Sequence, residues 1–249
     1  MRLLVSVRTA AEVAPAVAGG ADIIDAKDPS QGSLGAVSLA ALAEIAQAVP
    51  PGVPFSIALG DVGDPGVAQH AASEALRAVG RRNEVFLKLG FAGTPDPDQV
   101  IRIALAGMAT ARRGGAGLVF VAYADAESAA APSAEQIVTV AARAGADGLL
   151  LDTYRKDGHG LLHYYDAAAL GRWVEEARAS VGLVALAGSL DHDAIRRIRG
   201  LPADVVGVRG AACTGGRTGT VSEVRVRGLK ETLPHLAFSR LRRIARSGA

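Results

Sequence analysis

Lys27 and Lys88, with Asp25 and Asp152, are residues whose types suit amine chemistry on a carbonyl compound. Asp25 and Lys27 stand two residues apart at the end of an apolar run. On a strand such residues share one face, so Asp25 is expected to lean on Lys27. Two lysines held together near an apolar core should each lose basicity, because like charge and desolvation both disfavour the ammonium form. A neutral amine is a nucleophile. One lysine then suits Schiff-base formation and the other acid–base work, with Asp25 or Asp152 orienting the amines and carrying protons. The competing reading makes the lysines phosphate binders or ion-pair partners, and their pairing favours the catalytic one.

A second group of residues suits an anion. Ala187-Gly188-Ser189 and Arg209-Gly210-Ala211 each follow an apolar run late in the chain, where exposed backbone N–H groups can bind phosphate. Lys156, in Asp152-Thr153-Tyr154-Arg155-Lys156-Asp157-Gly158, is a candidate for holding a second phosphate or else a plain surface lysine. Gly215-Gly216-Arg217-Thr218-Gly219 reads slightly better as a flexible turn than as part of the anion site. The loop from Asp28 to Gly35 is a substrate loop or a simple connection, with Gly32 and Gly35 supplying backbone freedom or close approach. His159 and His163 lie close in sequence, but no histidine pair has metal-ligand spacing, and neither a metal nor another cofactor is expected.

These residues need a scaffold that brings strand ends together. Eight short apolar runs alternate with Ala-rich windows: Leu3–Val7, Asp22–Asp25, Pro54–Leu59, Val85–Leu89, Leu118–Ala122, Gly148–Asp152, Leu183–Ala187 and Val205–Val208. Helices are expected within Ser38–Val49, Gly66–Val79, Asp96–Ala111, Ser133–Ala144, Asp166–Ser180 and Asp191–Arg199. The joints Gly20-Ala21-Asp22, Gly145-Ala146-Asp147 and Pro202-Ala203-Asp204 repeat one helix-to-strand turn. Eight βα units predict a single (β/α)8 (TIM) barrel over residues 1–232, in preference to an open doubly wound sheet, followed by a basic helix or tail over 233–249. The polar residues then fall where a barrel keeps its active site, at the C-terminal strand ends: Asp25, Lys27, Asp61, Lys88, Asp125, Asp152, Ser189 and Arg209. Lys27, Lys88 and Asp152 belong to the second, fourth and sixth strands and so are expected at one level.

The 249 residues match the usual barrel length of about 250. Hydrophobic residues at 49% and charged residues at 21% describe a globular chain, and a net charge of +2 argues against a dedicated nucleic-acid partner. The basic run Arg240, Arg242, Arg243 and Arg246 reads as a solvated helix end. A lone cysteine, Cys213, excludes an internal disulfide and fits a reducing, cytoplasmic setting. No export signal or membrane span is expected, while Ala-rich outer helices leave a homo-oligomer open.

Taken together, the segments Gly19 to Lys27, Gly32-Ser33-Leu34-Gly35, Asp152-Thr153, Lys156-Asp157-Gly158, Ala187-Gly188-Ser189 and Val206 to Cys213 resemble the (5-formylfuran-3-yl)methyl phosphate synthase family of methanofuran biosynthesis. The resemblance spans about residues 1–232. It implies a barrel that condenses two glyceraldehyde 3-phosphate molecules to a furan aldehyde phosphate, with release of phosphate and water and no oxidation. It also implies Lys27 as the Schiff-base residue and Lys88 as the proton-transfer residue, with Asp25, Asp152 and Lys156 around the substrates. Paired lysines alone would equally serve another Schiff-base phosphosugar aldolase, and an isolated phosphate site would serve a non-catalytic binding barrel.

Overall fold

The computed structural model describes residues 1–234 of the 249. Eight strands, β1 (Arg2–Val7), β2 (Ile23–Ala26), β3 (Phe55–Asp61), β4 (Val85–Gly90), β5 (Gly117–Tyr123), β6 (Gly148–Asp152), β7 (Leu183–Leu186) and β8 (Val205–Val208), form a closed barrel in chain order. Every neighbouring pair is parallel, including β1 with β8. The expected runs are all strands, with ends moved by a residue or two.

The helices are α1 (Val13–Ala18), α2 (Leu39–Ala48), α3 (Pro65–Val79), α4 (Pro97–Arg113), α5 (Ala126–Ala129), α6 (Ala134–Ala144), α7 (Leu161–Tyr164), α8 (Ala167–Ser180), α9 (His192–Ile198) and α10 (Glu223–Thr232). Six of them fill the expected windows. Their starts are set by side-chain caps from Ser38, Asp64, Asp96, Ser133, Asp166 and Asp191. Helices α1 and α10 complete the outer ring, while α5 and α7 are single turns within the loops above β5 and β6.

Two apolar layers follow from the period of two along each strand. Outward residues such as Leu3, Val5, Ile24, Leu87, Phe120 and Leu151 pack under the helices, and inward residues such as Ile23, Val119, Leu150, Ala185 and Val205 fill the barrel. The repeated joint has a specific job at the lower rim. Asp22, Asp147 and Asp204 each donate a backbone N–H to the carbonyl of Leu3, Leu118 and Val184, and each carboxylate accepts the N–H of that same residue at 2.7–2.8 Å. Each aspartate thus closes a two-bond ring onto the preceding strand.

After β8 the chain forms a small antiparallel hairpin, β9 (Cys213–Thr214) with β10 (Thr220–Val221). The glycine-rich segment between them is the expected turn, with Gly215 and Gly216 at φ of 82° and 77°. Leu233 packs into the core just beyond α10. The basic run Arg240, Arg242, Arg243 and Arg246 lies outside the described residues, as does most of the expected tail. Among the described residues no helix is long and apolar enough to cross a membrane.

Candidate active site

A cavity of about 230 Å³ opens at the C-terminal ends of the strands. Leu4, Ile23, Phe86, Leu150, Leu183 and Val205 form an apolar floor, above which sit Asp25, Lys27, Lys88, Asp152 and Lys156. The register explains the level. Asp25 faces Ser6 on β1 and Ser56 on β3, while Lys88 pairs with Ala58 and Asp152 with Tyr123. Because side chains alternate, the same inward face carries Ile23, Asp25 and, one residue past the strand end, Lys27.

The charged groups sort into two sets. Lys88 Nζ donates to Asp25 Oδ2 at 2.8 Å and lies 2.7 Å from Oδ1, while Ser6 Oγ donates to Oδ2 at 2.7 Å. Asp25 therefore leans on Lys88 across 63 residues of chain, not on Lys27 as its own strand suggests. The cause is geometric: Lys27 begins beyond the strand, above the level of the Asp25 carboxylate, whereas Lys88 reaches in from β4. In the second set Asp152 Oδ1 accepts from Lys156 Nζ at 2.7 Å and from the Thr153 N–H at 2.8 Å, and Lys27 Nζ lies 3.8 Å from Oδ2. Lys156 also donates to Thr153 Oγ1 at 2.9 Å.

Burial and neighbours set the ionisation. Lys27 is only 8% exposed, and desolvation brings its pKa down to about 8; Asp152 pulls upward while Lys88 and Lys156 push down. Burial works against ionising Asp152, yet Lys156, Lys27 and the hydrogen bonds around it outweigh that and hold the carboxyl at about 2. At neutral pH Lys27 therefore holds more free amine than an ordinary lysine, beside an ionised Asp152.

Loops hold these groups in place. Asp28, directly after Lys27, accepts from the N–H and Oγ of Ser30, and its own N–H donates to the Gly35 carbonyl. A Cβ on Gly35 would stand 2.3 Å from the Asp28 carbonyl oxygen, so the expected close approach is real. Leu34 and Ser33 are buried, and Leu34 packs with the inward residues Ile23, Val119 and Val121, so the loop is anchored on the barrel, although none of its residues lines the cavity. Asp125 accepts the N–H groups of Tyr154 and Arg155, folding the loop that carries Lys156 back over Asp152. Asp61 accepts from Tyr123 Oη at 2.7 Å and from the Ala92 N–H. Asp61 and Asp125 thus tie loops and do not line the cavity.

Gly188, Ser189, Arg209 and Gly210 all border the cavity, as expected for the end of the barrel formed by β7 and β8. Gly188 and Ser189 both take positive φ, 102° and 51°, which turns this backbone sharply above β7. The expectation for Arg209 needs correction. Its Nε donates to the Arg217 carbonyl, Nη1 to Ser6 O and Glu12 Oε2, and Nη2 to Glu12 Oε1 and Gly219 O. All five N–H groups are engaged, leaving that side chain no donor for a ligand.

The sequence carried no expectation for Ser6 or Glu12, and for the segment holding Arg217 it favoured a turn over a part of the anion site. Ser6 carried a signal, being the polar member of an inward pair with Leu4 in an apolar strand. Glu12 had none, because its partner lies 197 residues away. His159 and His163 stack at 4.1 Å outside the cavity, and no group of three or more His, Cys, Asp or Glu among the described residues is arranged to hold a metal.

A buried lysine–aspartate cluster at the upper mouth of a closed parallel barrel places the chain among (β/α)8-barrel proteins of the enzyme kind. Solved structures agree on the fold. Residues covering 94% of the chain superpose on all of a 3-hexulose-6-phosphate synthase with a TM-score of 0.64 at 18% identity. A phosphoribosyl anthranilate isomerase from Thermus thermophilus gives 0.62 at 18%, covering 93% of this chain and 98% of that one. Residues 3–230 match the family model described as 4-HFC-P synthase, and the chain belongs to that family of enzymes. Its relatives include the (5-formylfuran-3-yl)methyl phosphate synthases of Methanothermobacter thermautotrophicus, 37% identical over 94% of this chain and 99% of that one, and of Methanopyrus kandleri, 36% identical over 93% and 98%.

Proposed function

We propose that the enzyme is a lyase of the carbon–oxygen type acting on phosphates, which condenses two molecules of glyceraldehyde 3-phosphate to (5-formylfuran-3-yl)methyl phosphate through a Schiff base on Lys27. Two three-carbon aldehyde phosphates balance this product on loss of one phosphate and two waters, with no change in oxidation state and no cofactor. Family membership supports the overall reaction, and methanofuran biosynthesis is the pathway it would serve.

The observation that carries the mechanism is the contrast between the lysines. Lys88 is closed on Asp25 at 2.7–2.8 Å, whereas Lys27 keeps a looser 3.8 Å contact with Asp152 and has its pKa brought down to about 8. Lys27 is therefore the better nucleophile, adding to one aldehyde and losing water to form the imine. Asp152, ionised and shared with Lys156, stabilises the iminium. Lys88 and Asp25 lie across the cavity, suited to shuttling protons as the enamine forms, bonds to the second triose and undergoes elimination. The amides of Gly188, Ser189 and Gly210 would receive one phosphate, with Lys156 available to an anion through its remaining N–H. The partner is a small triose phosphate, with no role for nucleic acid or membrane; the site of action would be the cytoplasm, and pairing of copies through the outer helices is compatible with it.

The test is incubation with glyceraldehyde 3-phosphate. Equal amounts of an ultraviolet-absorbing furan aldehyde and inorganic phosphate are expected from the wild type, and neither from Lys27→Ala or Lys88→Ala. A six-carbon sugar bisphosphate, formed without release of phosphate, would replace this reading with a Schiff-base aldolase. Triose phosphate binding without turnover or borohydride-trapped adduct would replace it with a binding barrel.

A further inference from the structure

With Arg209 fully occupied, a different guanidinium faces the cavity. Arg217 stands at the tip of the β9–β10 hairpin, where its Cα lies 3.7 Å from the position a Cβ on Gly210 would take. It is half-buried and lines the cavity together with Gly188, Ser189 and Gly210. Its placement is enforced by backbone. Arg209 Nε donates to the carbonyl of Arg217 at 3.0 Å and Nη2 to that of Gly219 at 2.7 Å, so both ends of the tip are pinned. The turn itself admits no side chain at Gly219, where a Cβ would meet the Thr214 carbonyl oxygen at 1.9 Å.

The Arg217 side chain is the less satisfied of the two. Among the described residues its one hydrogen bond runs from Nη2 to the Gly32 carbonyl at 2.5 Å, across the mouth to the loop that follows Lys27. Most of its N–H donors thus have no protein acceptor there. Burial is the main influence disfavouring its charge, and Asp152 opposes that across the cavity. Leaving out Arg209, whose charge Glu12 meets, the cavity walls carry four cationic side chains, Lys27, Lys88, Lys156 and Arg217, against the three carboxylates of Asp25, Asp152 and Asp191. An anionic ligand would offset that excess, and a planar guanidinium with free N–H groups suits phosphate oxygens.

We propose that Arg217, and not Arg209, grips the phosphate of one substrate beside the Gly188–Ser189 and Gly210 amides, while Arg209 is the positioning residue that holds Arg217 over the cavity. The ligand class is a small phosphate monoester, and the assignment rests on the triose phosphate reading above. Because the same guanidinium reaches Gly32, the bound phosphate would also tie the hairpin to the loop after β2 and narrow the mouth around Lys27.

The test uses an unreactive monoester, glycerol 3-phosphate, so that binding is read apart from furan chemistry. Calorimetric titration of the wild type, Arg217→Gln and Arg217→Lys is paired with borohydride trapping of unphosphorylated glyceraldehyde at Lys27. Expected are at least a fivefold loss of affinity in Arg217→Gln, a smaller loss in Arg217→Lys, and a glyceraldehyde trapping rate that falls less than the affinity does. A smaller change in Arg217→Gln, no measurable binding by the wild type, or a parallel fall in glyceraldehyde trapping overturns the assignment. Furan formation by the wild type is scored separately, so failure of the proposed reaction and failure of this assignment give different results.

Discussion

A lysine becomes a nucleophile at neutral pH only if something makes its ammonium form costly. At Lys27 the cost is desolvation, moderated by Asp152 and increased by Lys88 and Lys156. The pH dependence follows with a definite sign. Below a pKa of about 8 the free-amine fraction rises tenfold per pH unit, so borohydride trapping of glyceraldehyde should climb with that slope and level off above about pH 8. Two substitutions should move the inflection in opposite directions. Asp152→Asn removes a charge that favours the ammonium form and should lower it; Lys156→Gln removes a repelling charge and should raise it. A trapping rate that keeps rising to pH 10 in the wild type would show that Lys27 retains ordinary basicity.

Elements divide the labour between the two rims of the barrel. At the lower rim Asp22, Asp147 and Asp204 each satisfy an amide on the neighbouring strand, while at the upper rim Asp28, Asp61 and Asp125 organise loops. Removing a lower-rim carboxylate should therefore affect stability and spare chemistry. Asp147→Ala leaves the Leu118 N–H without its acceptor and should cost about 1–3 kcal/mol in urea unfolding. Turnover measured well below the unfolding transition should stay within about twofold of the wild type, since the strand's other end carries the candidate site. A large fall in turnover with unchanged stability would contradict this division.

For the whole molecule the decisive event is closure of the ring, because β1 must meet β8, with Arg2 pairing Val205 and Val5 pairing Val208. The Arg209–Glu12 pair reinforces that seam: both side chains are under 5% exposed, and Arg209 also binds the Ser6 carbonyl of β1. Removing one partner strands a buried charge. Glu12→Gln or Arg209→Met should each cost about 3–5 kcal/mol by chemical denaturation, with the double variant recovering part of the loss. A change below about 1 kcal/mol in either single variant would mean that the seam is held by strand pairing alone.

Sequence by itself determined the eight barrel strands, six of the helices and the rim to which the polar residues belong, because these depend on local periodicity and on the rule that alternate strand residues share a face. Eight runs with Asp25, Lys88, Asp152 and their equivalents at or near their ends are enough to place the candidate site at one rim, and the repeated aspartate at 22, 147 and 204 already marks the other. Partner choice was decided only by the tertiary structure. Asp25 meets Lys88 rather than the neighbouring Lys27, Arg209 is consumed by Glu12, and Arg217 reaches Gly32 across 185 residues of chain. Which side chains meet across a barrel depends on how strands are staggered and how far loops fold back, and a shift of a few ångströms exchanges an arginine open to the cavity for a structural one.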